Sequence, residues 1–322
     1  MTTFSGFTRR DFLLTGITST AATIGCASAP RSRRSGVAAT LRTELCDKFG
    51  IEYPIFQAGM ASFAGPELVA AVSAAGGLGI LGVAHMAPDE ARARIRRVRE
   101  LTDKPFGVNL LLHSEVWPPV DAASFPDSAV RAVQTVLNRF RERFNLPPTF
   151  ARPASRPDYV GAVIEVMLEE RVPVFSVGLG NPPKTVVDRF HAQGAKVIAM
   201  VSAVDDARTV AESGVDAVIA QGYEAGGHRS TWEKRPTAQH AAIGTLALVP
   251  QVAEAIRVPV IAAGGIATGR GVIAALALGA EGVLIGTRFI ATHEARVPDF
   301  YKEALRTRDS DSTTITDAFS GL

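Results

Sequence analysis

Eight short apolar runs, separated by helix-length stretches, limit what this chain can fold into more than any other feature. The runs are Pro54–Ala58, Leu78–Leu81, Phe106–Leu111, Val172–Val177, Ala195–Val201, Ala217–Ala220, Val258–Ala263 and Gly282–Ile285. Between most of them lie segments rich in Ala, Glu and Arg, among them Pro66–Ala75, Pro88–Leu101, Pro183–Gln193, Val204–Ser213, Leu248–Ile256 and Gly269–Leu278. Several open on proline, whose missing N–H costs nothing in a first helical turn. Several close at a glycine (Gly76, Gly194, Gly214, Gly279), which suits a left-handed cap. Strands alternating with helices call for parallel pairing, and strands apolar along their length are covered on both faces. The pattern predicts an α/β fold, a (β/α)8 TIM barrel. A doubly wound open sheet is the competing arrangement; the glycines after the last two strands favour the barrel.

One interval breaks the rhythm. About sixty residues separate Leu111 from Val172, where about twenty-five are usual for one unit. The stretch holds Trp117-Pro118-Pro119, a helical pattern near Ala129–Phe144, and Pro147-Pro148. The chain is therefore expected to form its barrel from 41–111 and 171–290, with a helical insertion over 112–170 that caps the barrel mouth. A polar C-terminal segment, 291–322, is expected beside the insertion.

Residues 1–40 read as a separate element. Arg9-Arg10 followed by Phe12-Leu13-Leu14, a mildly apolar run and Gly25-Cys26-Ala27-Ser28-Ala29 have the parts of a twin-arginine-type export signal. The run is too short for a mature transmembrane segment. Lipid attachment at Cys26 and cleavage after Ala29 are both open, and Arg31 to Gly36 form a polar linker. The leader places the protein in the periplasm or cell envelope, or in the cytoplasm if it is unused.

Composition excludes several classes. With 47% hydrophobic and 20% charged residues in 322, a large core can be buried. The net charge of +2 and the lack of a basic stripe with interleaved aromatics argue against nucleic acid. The two cysteines, Cys26 and Cys46, have no metal-ligand spacing and cannot build a disulfide framework. No HExxH or paired-carboxylate pattern occurs, so metal hydrolysis is not expected and no metal ligand is assigned.

In such barrels chemistry lies at the C-terminal strand ends. The first run ends in Gln57-Ala58-Gly59-Met60, and Asn109 is a polar residue inside the third. The sixth leads into Gln221-Gly222-Tyr223-Glu224-Ala225-Gly226-Gly227-His228-Arg229-Ser230. Gly264-Gly265 follow the seventh and Gly286-Thr287 the eighth. The last two loops, with a helix start after the seventh strand, match the usual phosphate site of this fold. Asn109 and Gln221 either hydrogen-bond neighbouring backbone or meet the edge of a heterocycle. A phosphate anchor with amides across the mouth suits FMN, although other phosphate-bearing ligands fit the same composition. His228, beside glycines that let a ligand approach, is the proton-transfer candidate. His85 and His113 follow strands two and three and read as rim contacts. His240 and His293 have no supporting context.

At these residues the chain resembles the class I nitronate monooxygenases, once called 2-nitropropane dioxygenases. The likeness runs from about Thr43 to Thr292, through Pro54–Met60, Ala75–Gly79, Lys104–Asn109, Gln221–Arg229, Pro259–Gly269 and Gly279–Phe289. The resemblance implies FMN near Ala58, Gly59, Met60, Asn109, Gln221, Gly226, Gly227, Gly264, Gly265, Gly286 and Thr287, with His228 catalytic. It implies oxidation of an alkyl nitronate or nitroalkane by O2 to a carbonyl compound and nitrite. The family often has proline where this chain has Gly59, and glycine where it has Ser230. Two alternatives stay open: a flavin-dependent NAD(P)H reductase on the same scaffold, of enoyl-ACP or quinone reductase type, and a non-catalytic flavin-binding protein.

Overall fold

A computed structural model describes residues 41–112, 121–155, 157–230 and 242–316. The leader with Cys26, His113, Trp117-Pro118-Pro119, Thr231 to Arg235 and His240 lie outside the described residues.

Eight strands close into a barrel in sequence order, every neighbouring pair parallel. They are β1 (Ile55–Gln57), β2 (Leu78–Gly82), β3 (Phe106–Leu111), β4 (Val174–Leu179), β5 (Lys196–Val201), β6 (Ala217–Gln221), β7 (Val260–Ala263) and β8 (Gly282–Ile285). Phe56 pairs with Leu78 on one side and Leu284 on the other, which closes the ring. The helices are α1 (Glu44–Phe49), α2 (Pro66–Ala74), α3 (Pro88–Leu101), α4 (Asp127–Arg143), α5 (Val160–Glu169) and α6 (Lys184–His191). They continue as α7 (Val204–Glu212), α8 (Thr245–Ala255), α9 (Gly269–Ala277), α10 (Thr287–Ile290) and α11 (Asp299–Thr307).

The alternating side chains of each strand feed two cores. Phe56, Leu78, Ile80, Val174, Ile198, Ile219, Ile261 and Leu284 fill the barrel interior. Leu81, Val108, Val177, Val218, Ala220 and Val283 face the surrounding helices. Leu45, Cys46 and Phe49 of α1 join the inner cluster, and Phe49 meets Phe56 edge-on at 5.4 Å. Thr43 Oγ1 donates to Glu281 O at 2.6 Å, so α1 seals the N-terminal end of the barrel. Each fully buried large side chain contributes about 1.5–3 kcal/mol, against roughly 1–2 kcal/mol of backbone entropy per ordered residue. The strands thus hold themselves, and loops with little buried area need other restraints.

Several boundaries differ from the sequence reading by one to three residues, and two have a clear cause. β4 begins at Val174 because Pro173 has no N–H for the ladder and Val172 N is already spent on Met167 O at 3.1 Å, closing α5. α8 begins at Thr245, before Leu248, because Glu224 of a distant loop accepts from Thr245 N at 2.8 Å and supplies its cap.

The insertion after β3 is helical, as expected. Its side-chain hydrogen bonds join α4 to the chain returning beside it: Gln134 Nε2 to Ala151 O at 2.8 Å and Asn138 Nδ2 to Thr149 O at 3.0 Å. Val133, Val136, Leu137, Phe140 and Phe144 stand exposed along α4 at helical spacing. α11 packs on α2 and the loop after β1, where Tyr301 meets Phe63 at 5.7 Å and Leu305 joins Leu68, Val72 and Val297. Among the described residues no helix is long and apolar enough to cross a membrane.

Candidate active site

The loops after β6, β7 and β8 meet at one side of the mouth. Gly264 and Gly265 turn the chain with φ of 112° and 68°, a region open to glycine. A Cβ on Gly264 would lie 2.8 Å from Thr245 Oγ1 and 3.1 Å from Gly222 O, so the β7 turn rests directly on the β6 loop. A Cβ on Gly226 would find only Thr287 Oγ1, at 3.7 Å, which brings the β6 loop beside the start of α10. At Gly227 and Gly269 a Cβ would meet nothing within 4 Å. Bare backbone facing open space beside the first turn of α9 is what a phosphate group needs. Gly226, Gly227, Gly264, Gly265, Gly286 and Thr287 are therefore brought together, an arrangement that suits a phosphate group.

Beside β8 around the mouth stands the end of β1, and the end of β3 lies two strands further on. Ala58 N donates to Ile285 O at 2.9 Å, tying β1 to β8 at the rim. Met60 Sδ lies 3.6 Å from where a Cβ of Gly286 would stand, so Ala58 and Met60 border the same space. Buried Asn109 donates from Nδ2 to Ser176 O at 3.1 Å and Ser176 Oγ at 3.0 Å. A Cβ on Gly59 would fall 2.3 Å from Asn109 Cβ. Glycine at 59 is what lets this asparagine sit where it does. Gln57, also buried, spends its amide on Ala58 O and on both backbone groups of Ile80, each of these at 3.2 Å. It fastens β1 to β2.

The β6 loop is held by side chains. Gln221 Oε1 accepts from Ser202 Oγ at 3.0 Å and Ser230 N at 2.9 Å, and its Nε2 donates to His228 O at 2.8 Å. Gln221 thus bonds to neighbouring protein groups on both its amide atoms. Ser230, fully buried, donates from Oγ to Met200 O at 2.6 Å; a glycine there would drop that bond. Arg229 donates to Gly222 O at 2.7 Å and Tyr223 O at 2.9 Å and lies over the Tyr223 ring at 5.5 Å. Burial lowers the Arg229 pKa, while Tyr223 and Glu224 act to raise it. His228 itself is exposed, so its imidazole gains little from burial.

Glu224 closes the arrangement. Its Oε2 accepts from Thr245 N at 2.8 Å and Thr245 Oγ1 at 2.9 Å. Desolvation works to raise its pKa, but the Thr245 bonds and the Arg229 charge outweigh it and hold the carboxyl below the usual range. Sequence reasoning missed Ser202, Glu224, Arg229, Ser230 and Thr245 as parts of the site. Ser202 directly follows β5, so inspection of every strand end would have found it; the others needed the loop's folded path. His85, exposed after β2, has φ of 62°, and His293 is exposed near α11. Among the described residues no group of three or more His, Cys, Asp or Glu could hold a metal.

Comparison with known proteins agrees with this geometry. The family model described as nitronate monooxygenase matches residues 42–322. A probable nitronate monooxygenase of Staphylococcus saprophyticus is 37% identical over 281 residues, covering 87% of this chain and 77% of that protein. Among solved structures, nitroalkane oxidase from Streptomyces ansochromogenes is 37% identical with a TM-score of 0.71, covering 81% of this chain and 72% of that one. FabK from Thermotoga maritima is 38% identical with a TM-score of 0.67, covering 87% of this chain and 72% of that one. The resemblance read from the strand-end motifs is thus the one found over most of the chain: the protein is an enzyme, an oxidoreductase, and it belongs to the nitronate monooxygenase family.

Proposed function

We propose that this enzyme oxidises alkyl nitronates, and nitroalkanes after their deprotonation, using FMN and O2, to a carbonyl compound and nitrite. The observation that carries the reading is one loop holding two functions: Gly226 lies beside Thr287 at the phosphate cradle, and His228 follows two residues later. When bound, FMN supplies the two-electron oxidant that this chain's own side chains lack. Gly265, Gly286 and Thr287 would hold its phosphate, with Ala58, Met60 and Asn109 bordering the rest of the mouth.

His228 takes the acidic C–H proton of a neutral nitroalkane onto its neutral ring nitrogen. The resulting imidazolium then faces the nitronate oxygens and orients the anion. A nitronate supplied as the anion needs only the second role. Positioned general bases contribute roughly 10²–10⁴-fold. His228→Asn should therefore cut kcat/KM for a neutral nitroalkane by about 10² or more, with flavin content unchanged and a smaller loss for the nitronate. Equal turnover of the neutral substrate by both proteins would remove His228 from the base role.

The similarity to FabK at comparable identity makes an NAD(P)H-linked reductase the second reading. Anaerobic mixing separates the two. A nitronate bleaches the flavin of a nitronate oxidase, with nitrite released on admitting O2; NADH or NADPH bleaches that of a reductase.

A further inference from the structure

Mutual hydrogen bonds from β5 and β6 converge on the backbone at either side of His228. Gln221 grips residue 228 by its carbonyl and residue 230 by its N–H, at 2.8 and 2.9 Å. The orientation of the Gln221 amide follows from those partners, because a backbone N–H only donates and a carbonyl only accepts. Reversing it would set Nε2 against the Ser230 N–H and Oε1 against the His228 oxygen. Ser202 Oγ donates to the same Oε1 at 3.0 Å and reinforces the orientation from the end of β5. Ser230 Oγ fixes the far side of the loop to Met200 O of β5 at 2.6 Å. Ser202, Gln221 and Ser230 are all buried, whereas the side chain they bracket is exposed.

We propose that Ser202 and Ser230 are positioning residues for the proton-transfer step, acting through Gln221 and β5 to fix the backbone from which the His228 imidazole projects. The argument is one of competing costs. Ordering a loop residue costs about 1–2 kcal/mol, and an exposed imidazole recovers little of it through burial. A net hydrogen bond contributes about 0.5–1.5 kcal/mol, so the bonds around His228 are of the size needed to offset that cost. A base must lie within hydrogen-bond reach of the proton it removes, and small displacements are expensive in rate. Orientation of a pre-formed nitronate needs no C–H approach and is less demanding. Loosening the bracket should therefore penalise the neutral substrate selectively.

The inference rests on the reading of His228 as base, and the experiment separates the two. Flavin-loaded wild type, Ser230→Ala, Ser202→Ala and His228→Asn are assayed with a neutral nitroalkane and its nitronate across pH 5–9. The expected result is a fall of about tenfold in the ratio of nitroalkane to nitronate turnover for each serine variant, equivalent to one lost hydrogen bond. The ascending limb of the nitroalkane pH profile is kept in both. A ratio equal to wild type in both serine variants, alongside a collapsed ratio in His228→Asn, overturns the bracket and leaves the base intact. An unchanged ratio in His228→Asn overturns both. If Ser230→Ala fails to fold, Ser202→Ala tests the bracket through Gln221 Oε1, and its ratio decides.

Discussion

Two loops meet at the barrel mouth and are shaped by opposite means. The β7 turn is shaped by its backbone: Gly264 and Gly265 both have positive φ, and the turn offers N–H groups and open space. The β6 loop is shaped by side chains: Gln221, Arg229 and Ser230 hold it to β5, β6 and itself. A turn without side chains can cradle an anion but supplies no proton-transfer group. A loop tied down by side chains can present one at a set place. The division suits a site that must grip a cofactor and also move a proton. It also makes the two functions separable by substitution, except where the loops touch.

They touch at Gly222. A Cβ there would fall 2.0 Å from Thr245 Oγ1 and 2.4 Å from Thr245 N, with backbone rather than a flexible tip in the way. Gly222→Ala is the most damaging change we expect. Over-packing of this kind costs typically 1–3 kcal/mol and more against backbone, and both loops must shift. The variant should lose its flavin and melt several degrees lower, read by absorbance and thermal denaturation. A Gly222→Ala protein with normal flavin content and melting would show that the loops do not depend on one another.

Gly265→Ala sharpens the comparison from the side of the β7 turn. At φ of 68° an L-residue is disfavoured by roughly 1–2 kcal/mol, and the new Cβ would press on Glu224 Cβ at 3.3 Å. FMN affinity should drop about tenfold in a titration of the apoprotein. With saturating FMN, the ratio of nitroalkane to nitronate turnover should match wild type, because His228 is held by other bonds. A changed ratio would mean that the two devices are one.

The barrel could be read from the sequence because its cause is local. Each strand is a short apolar run and each helix a segment between turn residues, so periodicity alone carries them. The β7 turn was legible for the same reason, since adjacent glycines at a strand end state their own geometry. The β6 loop was legible only in part. Gly226, Gly227 and His228 lie together in the sequence, but their supports come from Met200 on β5, Ser202 just after it and Thr245 on a later helix. Gln221 shows the limit best: a buried amide is expected to be satisfied, yet the sequence does not say by whom. Gly59 is similar, since its glycine is explained by Asn109, fifty residues away in sequence.

The weakest link between the loops is electrostatic, and acid tests it. Thr245 Oγ1 lies 2.9 Å from Glu224 Oε2, 3.0 Å from Gly264 O and 3.3 Å from Ala263 O, and its single proton can serve one of them at a time. The Glu224 charge draws that proton toward the β6 loop, and the same carboxylate caps α8 through Thr245 N. Desolvation raises this carboxyl, the Thr245 bonds and Arg229 lower it, and the net shift is downward. A carboxyl whose pKa is lower folded than unfolded adds stability that is fully present above the unfolded value. That stability is lost as pH falls through the folded value. Glu224→Gln keeps an acceptor oxygen but removes the charge. At pH 7 the variant should melt slightly below wild type. The gap should narrow once pH drops below the ordinary glutamate value of about 4.3, because only wild type gives up this contribution there. Melting curves that stay parallel down to the acid limit would mean that the Glu224 charge does not join the loops, leaving packing at Gly222 as the contact that couples cradle to base.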